Sequence, residues 1–458
     1  MRPGMRLSAV LLRAFLVVLP AAGARLEPGD DPPVPRPGGK DAPAKSGDDA
    51  KAPGKSGAKE TPRPAKPAAL LAQRRSRSTL LTREGGSKAT DAAVRSAIDW
   101  LLRHQSPDGG WLAADFVKQC KTPCRNKSLG RDSSGKGLAQ YDLGVTGLAL
   151  LALAGAGHSH LDTEDKETSA AMQRAMGALL RAQESTGPAA GRIGGASEQW
   201  VYDHAIATLA LTEILLLSGD DDTLRAPVTS AVKLCIKAQN PGRGWRYGIQ
   251  PQDNDTSVTG WMVLALETAS HARLEIPKKE FDAAFQGARA WFDRVTKDGR
   301  TGYFVAGDPG SRLAAFAEHY PFDPTRIQSM TALATLCRLV TGAKRKDPVL
   351  AASLKLLAEN PPLWKEAAGG QLSSINFYYW FHGSHAVFQQ GGPAWKSWSK
   401  SLVETLVKNQ RTGGDEQGSW DPVDDWGSVA GRVYSTALGA LALEVFHRYP
   451  RARDGVGL

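Results

Sequence analysis

Apolar residues between positions 89 and 451 follow two alternating helical patterns. One kind of segment carries a single apolar stripe, which in ATDAAVRSAIDWLLRHQ consists of Val94, Ala97, Ile98, Leu101 and Leu102. The other kind is apolar nearly all round, as in YDLGVTGLALLALAGAG and RVYSTALGALALEVFHRY. A helix with one stripe packs on the outside of a core, whereas a helix that is apolar on every side lies inside it. The pattern therefore predicts an outer and an inner layer of helices.

The striped helices repeat along the chain and end in a shared motif. LLRHQ ends at Gln105, LLRAQ at Gln183, CIKAQ at Gln239 and LVKNQ at Gln410. The last separation, 171 residues, is three times 57, so two diverged copies are expected between the last two glutamines, near 289–299 and at Asn360. Each copy is followed by a Gly/Pro/Asp turn and an all-apolar helix. Six such hairpins predict an all-α (α/α)6 toroid, and the apolar last helix favours a closed ring over an open solenoid with polar caps.

A closed ring of this kind has one distinctive opening. All inner helices run the same way, so their N-termini meet around one mouth of the central cavity. Unpaired backbone N–H groups and the positive ends of the helix dipoles are then expected to favour anions and polar side chains there.

The N-terminal part of the chain has a different composition. Residues 1–24 combine a basic start, a short apolar run and Ala22-Gly23-Ala24, which predicts a secretory signal and a periplasmic or secreted protein. Residues 25–88 contain no aromatic side chain, so we expect a disordered linker before the toroid at 89–451 and a tail at 452–458. Signal and linker together account for +9 of the formal net charge of +10. Nucleic-acid binding is therefore not expected, and the basic linker is either solvated or in contact with an anionic membrane surface or cell wall.

Four cysteines give no convincing metal site by spacing. Cys120 and Cys124 lie in the polar string CKTPC and are candidates for a mutual disulfide outside the cytoplasm. Cys235 and Cys337 lie within helical patterns, which is typical of buried packing residues. No metal and no cofactor are predicted.

The repeated motif resembles a known superfamily. The helix-ending Gln, Gly-rich turn and Trp at 105–111, 239–245 and 410–420 resemble the QW repeats of squalene cyclases. Together with YDHAIATLALTE and GRVYSTALGALALEVF, they are similar to the terpenoid cyclase and protein prenyltransferase α/α-toroid superfamily, in particular to secreted bacterial prenyltransferase/squalene-oxidase repeat proteins. The resemblance covers residues 89–451 and implies a central cavity suited to an isoprenoid or another apolar molecule.

The sequence departs from the chemistry that this resemblance implies. The cyclase signature is D-x-D-D-T with its middle Asp as proton donor, and Asn254 occupies that place in Gln252-Asp253-Asn254-Asp255-Thr256. An amide does not protonate an alkene. The zinc-binding Asp-x-Cys of prenyltransferases is matched by Asp255-Thr256-Ser257, and Ser435 stands where a His would be expected. Neither the usual cyclase chemistry nor zinc prenyltransferase chemistry is therefore expected.

Two carboxylates in that string are candidate catalytic groups. Asp255 opens an inner helix, where it caps backbone N–H groups or acts as an acid at the mouth. Asp253, two residues away, would raise the pKa of Asp255 by like-charge repulsion. Asp203 and His204 open another inner helix in YDHA and form a second candidate acid–base pair. Asp142, in the corresponding string YDLG, is expected to share a structural or ligand-binding role.

Aromatic side chains supply the candidate binding residues. Six consecutive ring side chains in the fifth inner helix either pack in the core or form an aromatic wall of the cavity. The candidate ligand-binding residues are Trp261, Tyr378, Tyr379, Trp380, His382 and Tyr434. Arg432 opens the last inner helix and needs a partner, either Asp424 or Asp425 or the anionic head group of a ligand.

Three functions remain open from the sequence. The first is a binding toroid for an isoprenoid or other apolar molecule, or for a cell-envelope protein. The second is a terpenoid cyclase-like enzyme that uses Asp255 or Asp253 as acid. The third is an (α/α)6 carbohydrate-active enzyme with Asp203 and Asp255 as its carboxylate pair.

Overall fold

A computed structural model describes residues 67–124, 134–195, 197–219, 221–308, 322–344 and 346–449. The predicted signal peptide at 1–24, the first part of the predicted linker and the predicted tail at 452–458 lie outside these residues.

The described residues form fourteen α-helices and one short hairpin of strands. The helices are α1 (Pro67–Arg75), α2 (Arg77–Glu84), α3 (Lys88–Arg103), α4 (Asp142–Gly155), α5 (Lys166–Arg181), α6 (Trp200–Ser218), α7 (Asp222–Ala238), α8 (Thr256–Ser270), α9 (Lys278–Arg294), α10 (Ser329–Val340), α11 (Pro348–Glu359), α12 (Phe377–Gln390), α13 (Gly392–Asn409) and α14 (Gly427–Leu443). Strands β1 (Thr296–Lys297) and β2 (Arg300–Thr301) pair antiparallel after α9. Single 3₁₀ turns cover Phe116–Gln119, Ala139–Tyr141 and Glu444–Phe446.

Six helices form a closed inner ring. The helix α4 packs against α6, and the series continues through α8, α10, α12 and α14, which packs back against α4. The striped helices α3, α5, α7, α9, α11 and α13 pack around this ring, and α3 also packs against α14. The predicted (α/α)6 toroid and its closure are confirmed.

The motif-ending glutamines join neighbouring outer helices. Each side-chain amide donates to a carbonyl of its own turn and to a carbonyl of the next outer helix: Gln105 reaches Ala171, Gln183 reaches Pro227, Gln239 reaches Ala284 and Gln410 reaches Ala93. The last of these bonds, 2.8 Å long, runs from the end of α13 back to α3 and closes the outer ring. Buried amide–carbonyl bonds at this repeat explain why Gln, with its reach and two N–H donors, recurs there.

The motif tryptophans join the outer layer to the inner one. Trp111, Trp245 and Trp420 are fully buried, and each indole N–H donates to a carbonyl of the preceding outer helix. Each of their backbone N–H groups donates to a threonine hydroxyl on the following inner helix, namely Thr146, Thr259 and Thr436. The Gln–Trp motif is therefore structural, because its polar groups are used by the ring itself.

The linker prediction is wrong for residues 67–88. Helix α1 packs against α6, and Leu81 of α2 lies in the core. The composition misled because the basic side chain of Arg74 is buried rather than solvated. Its guanidinium donates to Glu213 at 2.7 Å and to the Ala154 carbonyl at 3.0 Å.

Arg74 belongs to a buried ion cluster that ties both ends of the folded chain to the ring. Glu213 of α6 accepts two bonds of 2.8 Å from Arg448 and one of 2.9 Å from the Tyr449 hydroxyl. Arg448 also donates to Glu444 at 2.8 Å. Burial alone would raise the pKa of Glu213, but Arg448 and Arg74 outweigh it and lower the pKa to about 2. The cluster therefore holds Glu213 ionised.

Two described segments are long and apolar enough to suit a membrane span, Trp200–Ser218 and Gly427–Phe446. Both belong to the inner ring, and most of their residues are buried within it. Burial on every side also accounts for their composition.

Candidate functional site at the mouth of the ring

The starts of the inner helices meet, as predicted, and four of their N–H groups are already bonded. Side-chain oxygens of the chain accept from them: Asp203 from Gly144 at 2.9 Å, Asp255 from Val258 at 2.7 Å, Asn376 from Tyr379 at 2.7 Å and Asp424 from Phe377 at 3.0 Å. Three of these acceptors are carboxylates, which also compensate the positive helix ends. The sequence predicts anions and polar side chains at this mouth, and at these four N–H groups the chain itself supplies them.

A set of tyrosines surrounds Asp255 at this mouth. This mouth cluster consists of Asp255, Tyr202, Tyr247, Tyr303 and Tyr378, and Tyr434 lies next to Tyr378. The hydroxyls of Tyr247 and Tyr303 are 3.2 Å apart, and the Tyr202 and Tyr247 rings lie 6.1 Å apart. The pKa of Tyr202 is raised by burial first, and then by the nearby Tyr303, Tyr247, Asp255 and Tyr378.

The mouth cluster lies inside the ring. The hydroxyls of Ser257 on α8 and Tyr378 on α12 share a hydrogen bond of 3.0 Å. These helices are not neighbours, because α10 separates them in the ring. A direct contact between them must cross the lumen, so both hydroxyls face the central axis.

Asp255 caps a helix and is buried at the same time. Its Oδ1 caps α8, while its buried Oδ2 has no hydrogen-bond partner within normal distance among the described residues. Burial raises the pKa of Asp255 to about 7, against the lowering effects of the Val258 N–H, Arg246 and Tyr303. Asp253 adds a small further rise, as its position predicts. Near neutral pH Asp255 therefore exists in both protonation states.

Asp253 itself is not at the centre of the site. Its exposed carboxylate accepts a bond of 2.5 Å from Arg246, whose guanidinium lies 4.3 Å from the centre of the Phe304 ring. Asp253 therefore acts on the mouth only through its charge and through Arg246.

Aromatic rings fill the lumen below the mouth. Trp261 on α8 stacks on Phe381 of α12, with ring centres 6.1 Å apart and planes 17° apart. His382 meets the edge of Trp261 at 5.1 Å, and its Nδ1–H donates to the Tyr378 carbonyl. Burial lowers the pKa of His382 to about 3, so the ring is neutral. Below the mouth cluster the lumen is thus closed by an aromatic floor across α8 and α12.

Three predicted site residues point away from the lumen. Tyr379 donates to the Asn360 carbonyl and packs against Trp398 of α13, and Trp380 packs against Trp364. His204 lies between α6 and α7, with Nε2 3.2 Å from the Ala231 carbonyl. The structure does not bring these three residues to the mouth cluster, and for Tyr379 and Trp380 the reason is that consecutive positions of a helix face different directions. Tyr378, Phe381 and His382 share one face at helical spacing.

Asp203 is not paired with His204 or with Asp255. Its carboxylate bonds to α4, and burial raises its pKa to about 7, with a smaller contribution from Asp142. Asp142 accepts the Ala113 N–H at 2.7 Å and lines a separate cleft of about 310 Å³ between α4 and α5. Asp203 is therefore engaged with α4, and no contact among the described residues joins it to Asp255 as a carboxylate pair for a carbohydrate-active enzyme.

Arg432 has a different partner from those predicted. It donates to Asp421 and to the Ser419 hydroxyl, both at 2.7 Å, rather than to Asp424 or Asp425. Gly431, with a left-handed φ of 75°, breaks α14 immediately before Arg432 and changes the direction of the chain there. Only a residue without Cβ adopts that conformation readily.

Asp424 is a second buried carboxyl that the sequence did not single out as chemical. It accepts the Phe377 N–H and, at 3.4 Å, the Tyr434 hydroxyl. Burial raises its pKa to about 7, and Asp425 adds to the rise. Asp424 thus links the Tyr434 hydroxyl to the first residue of α12.

Sequence reasoning also missed Tyr202, Tyr247 and Tyr303. A signal was present, because Tyr247 and Tyr303 follow the Gly-rich turns of consecutive hairpins in GWRY and TGYF. Those turns lead into inner helices, so a tyrosine just beyond them is carried to the mouth.

A family model and a solved structure of other proteins resemble this chain. Residues 79–293, from α2 through α9, match the squalene-hopene cyclase C-terminal domain. A solved structure of the type II terpene cyclase MstE from Scytonema, in its apo form, is similar over 79% of this chain and 99% of that chain, with 13% sequence identity and a TM-score of 0.46. No curated protein shows significant similarity to the chain. The family match over residues 79–293 supports a terpenoid cyclase-like toroid, as the sequence resemblance predicts.

Proposed function

We propose that this toroid binds a neutral, largely apolar molecule of isoprenoid type at its mouth, without the usual cyclase or zinc prenyltransferase chemistry. The observation that carries the proposal is the combination of the phenol-lined mouth with the aromatic floor formed by Trp261 and Phe381. The floor suits an apolar chain end, and the tyrosine hydroxyls suit a hydroxyl or carbonyl group.

Neutrality of the ligand follows from the charges at the mouth. Arg246 is engaged by Asp253, and Arg432 by Asp421. Four helix N–H groups are occupied by carboxylates and by Asn376. A diphosphate would therefore meet buried acids, while both arginines are already paired.

The residues at the reaction positions of the superfamily support binding over its usual chemistry. Asn254, in the donor's place, accepts a bond of 2.9 Å from the Asn240 amide and so serves the turn. Ser257 is bonded to Tyr378, and the Ser435 hydroxyl donates to the Gly431 carbonyl. Neither serine supplies the thiolate or imidazole that a zinc prenyltransferase uses.

Calorimetric titration with farnesol and farnesyl diphosphate tests the proposal. Farnesol is expected to bind, and the diphosphate to bind at least about tenfold more weakly, a difference of about 1.4 kcal/mol. Tyr378→Phe should weaken farnesol binding by about 2- to 10-fold through loss of one hydrogen bond. Tyr379→Phe is the matched control, because that ring faces the outer layer, and it should leave binding unchanged. Tighter binding of the diphosphate, or no binding of either compound, would overturn the proposal.

A second candidate is acid chemistry of the terpenoid cyclase kind, and one observation favours it. The Oδ2 atom of Asp255 is buried and accepts no hydrogen bond within normal distance among the described residues, since the Arg246 guanidinium lies 3.9 Å away, and it belongs to a carboxyl with a pKa of about 7. Conversion of squalene or shorter isoprenoids, followed by gas chromatography with mass detection, would reveal such an activity. It should disappear in Asp255→Asn, which retains a helix cap, and the rate should fall as the pH rises through about 7, because the acid must be protonated. If no product forms, the acid chemistry is refuted and binding is the only function of the two that stands.

A further inference from the structure

The long connection between α3 and α4 folds two cysteines back onto the end of α3. The Sγ atoms of Cys120 and Cys124 lie 3.0 Å apart. The ligand atoms of His104, Cys120 and Cys124 all lie within 4.8 Å of one another. His104 and Cys124 are buried, and Cys120 is half-buried. Sequence spacing did not reveal this group, because the histidine comes from the preceding helix.

His104 has the geometry of a metal ligand. Its Nδ1 lies 2.8 Å from the Trp100 carbonyl, and since a carbonyl only accepts, Nδ1 carries the proton. Nε2 is therefore a lone-pair donor, and this buried atom has no hydrogen-bond partner among the described residues. A second nitrogen that donates to a backbone carbonyl is the usual outer contact of a metal-bound histidine.

The imidazole is also fixed in place and neutral. Its ring stacks on Trp100 with centres 4.2 Å apart, and Phe116 lies tilted against both rings. Burial lowers the pKa of His104, while the Trp100 carbonyl opposes the shift. Orientation and protonation state are thus set before any ligand arrives.

We infer that His104, Cys120 and Cys124 form a zinc site, with a fourth position left for water. Two thiolates and one imidazole are a donor set that selects Zn²⁺ among common divalent ions. Burial raises the pKa of the Cys124 thiol, so zinc binding releases protons from the cysteines. Nearby, Arg432 favours the thiolate of Cys124 and Glu416 opposes it. A disulfide between the cysteines is the competing state, and it leaves Nε2 of His104 without a partner.

The site lies where the last hairpin meets the first. Arg103, beside His104, donates to the Gln417 carbonyl, and the Thr122 hydroxyl donates to Asp415 at 3.1 Å. Both acceptors belong to the turn between α13 and α14. A zinc ion would therefore fasten the Cys120–Cys124 loop to α3 at the seam that closes the ring.

Cobalt binding to the reduced, full-length protein tests this inference. One equivalent of Co²⁺ should bind with thiolate-to-cobalt charge-transfer absorption, and Zn²⁺ should displace it. Cys120→Ser, Cys124→Ser and His104→Gln should each abolish the band. The matched controls Cys337→Ala and His271→Gln change the same residue types elsewhere in the fold and should retain it.

A second readout separates loss of the metal from loss of the fold. Zn²⁺ should raise the melting temperature of the parent but not that of Cys120→Ser, whose circular dichroism should match the parent without metal. Reduced parent protein that gives no charge-transfer band would overturn the inference. A band that persists in His104→Gln would overturn it equally. If intact mass shows a Cys120–Cys124 disulfide and the reduced form still binds no cobalt, the pair is a disulfide only.

Discussion

The buried ion cluster around Glu213 gives a quantitative prediction for Glu213→Gln. The substitution keeps the shape of the side chain but removes the charge that Arg74 and Arg448 share. The pKa of Glu213 falls from 4.5 to about 2 in the folded protein. At about 1.36 kcal/mol per pKa unit, the ionised form contributes about 3 kcal/mol to folding. Removal of one partner from a buried ion pair typically costs about 3–5 kcal/mol, a range that includes this value.

The pH dependence follows from the direction of this shift. Because the folded-state pKa is lowered, the contribution of Glu213 is fully present above pH 4.5 and is lost as the pH falls through about 2. Urea unfolding followed by tryptophan fluorescence should show Glu213→Gln about 3 kcal/mol less stable at pH 7. The difference between variant and parent should shrink as the pH falls below 4.5.

Glu184→Gln is the matched control for this experiment. Glu184 also pairs with an arginine, Arg192, but its side chain is 37% exposed. Exposed pairs contribute less than about 1 kcal/mol, so the control should unfold close to the parent. If Glu213→Gln lost no more than the control, or lost the same amount at pH 2 as at pH 7, the burial argument would be refuted.

Three further variants test other parts of the structure. A raised folded-state pKa of Asp255 stabilises the fold at low pH, and that stability is lost as the pH rises through about 7. Asp255→Asn should therefore reduce the loss of stability between pH 4 and 7 by about 1.36 kcal/mol per unit of the raised pKa. Parallel pH profiles of variant and parent in urea unfolding would argue against the shift. Alanine normally stabilises a helix by about 1 kcal/mol relative to glycine. Gly144→Ala should nevertheless lower the melting temperature, because the new Cβ would lie 2.7 Å from Oδ1 of Asp203. A higher melting temperature would show that Asp203 moves to make room. Gln410→Ala should cost about 1–3 kcal/mol in chemical denaturation, because it removes the two hydrogen bonds that the Gln410 amide donates to the carbonyls of Ala93 and Gly418. An unchanged midpoint would mean that closure of the outer ring does not depend on these bonds.

The ring itself was predictable because it rests on a repeated pattern. Inner helices are apolar all round and outer helices carry one stripe, so burial dictates their layers. The glutamines at 105, 183, 239 and 410 marked the hairpins because each makes the same pair of bonds. Closure followed from the apolar last helix, and α14 packs against α4.

The site was only partly predictable, because it depends on side-chain direction. Asp255, Trp261, Tyr378 and His382 were assigned to the lumen, and they lie there. Tyr379, their neighbour on α12, faces the outer layer instead. The composition of a run of aromatic residues does not say which way each side chain points. The direction follows from the rotation of about 100° between successive residues of a helix.

Long-range pairing explains the remaining errors. Arg74 was assigned to a linker because an isolated basic segment favours solvent, yet its partner Glu213 lies 139 residues away. His104 and the cysteine pair were not connected, because the chain between them turns back on itself. Sequence spacing identifies groups on one element, whereas these contacts arise only once the ring has formed.

The central claim is that the mouth of the ring holds a neutral apolar molecule among its tyrosines. Native mass spectrometry and solvent extraction of protein purified from the organism that makes it test this claim most directly. The expected result is one neutral, apolar compound per ring, with reduced occupancy in Tyr378→Phe and unchanged occupancy in Tyr379→Phe. A phosphorylated compound, or a partner protein without any small molecule, would contradict the account.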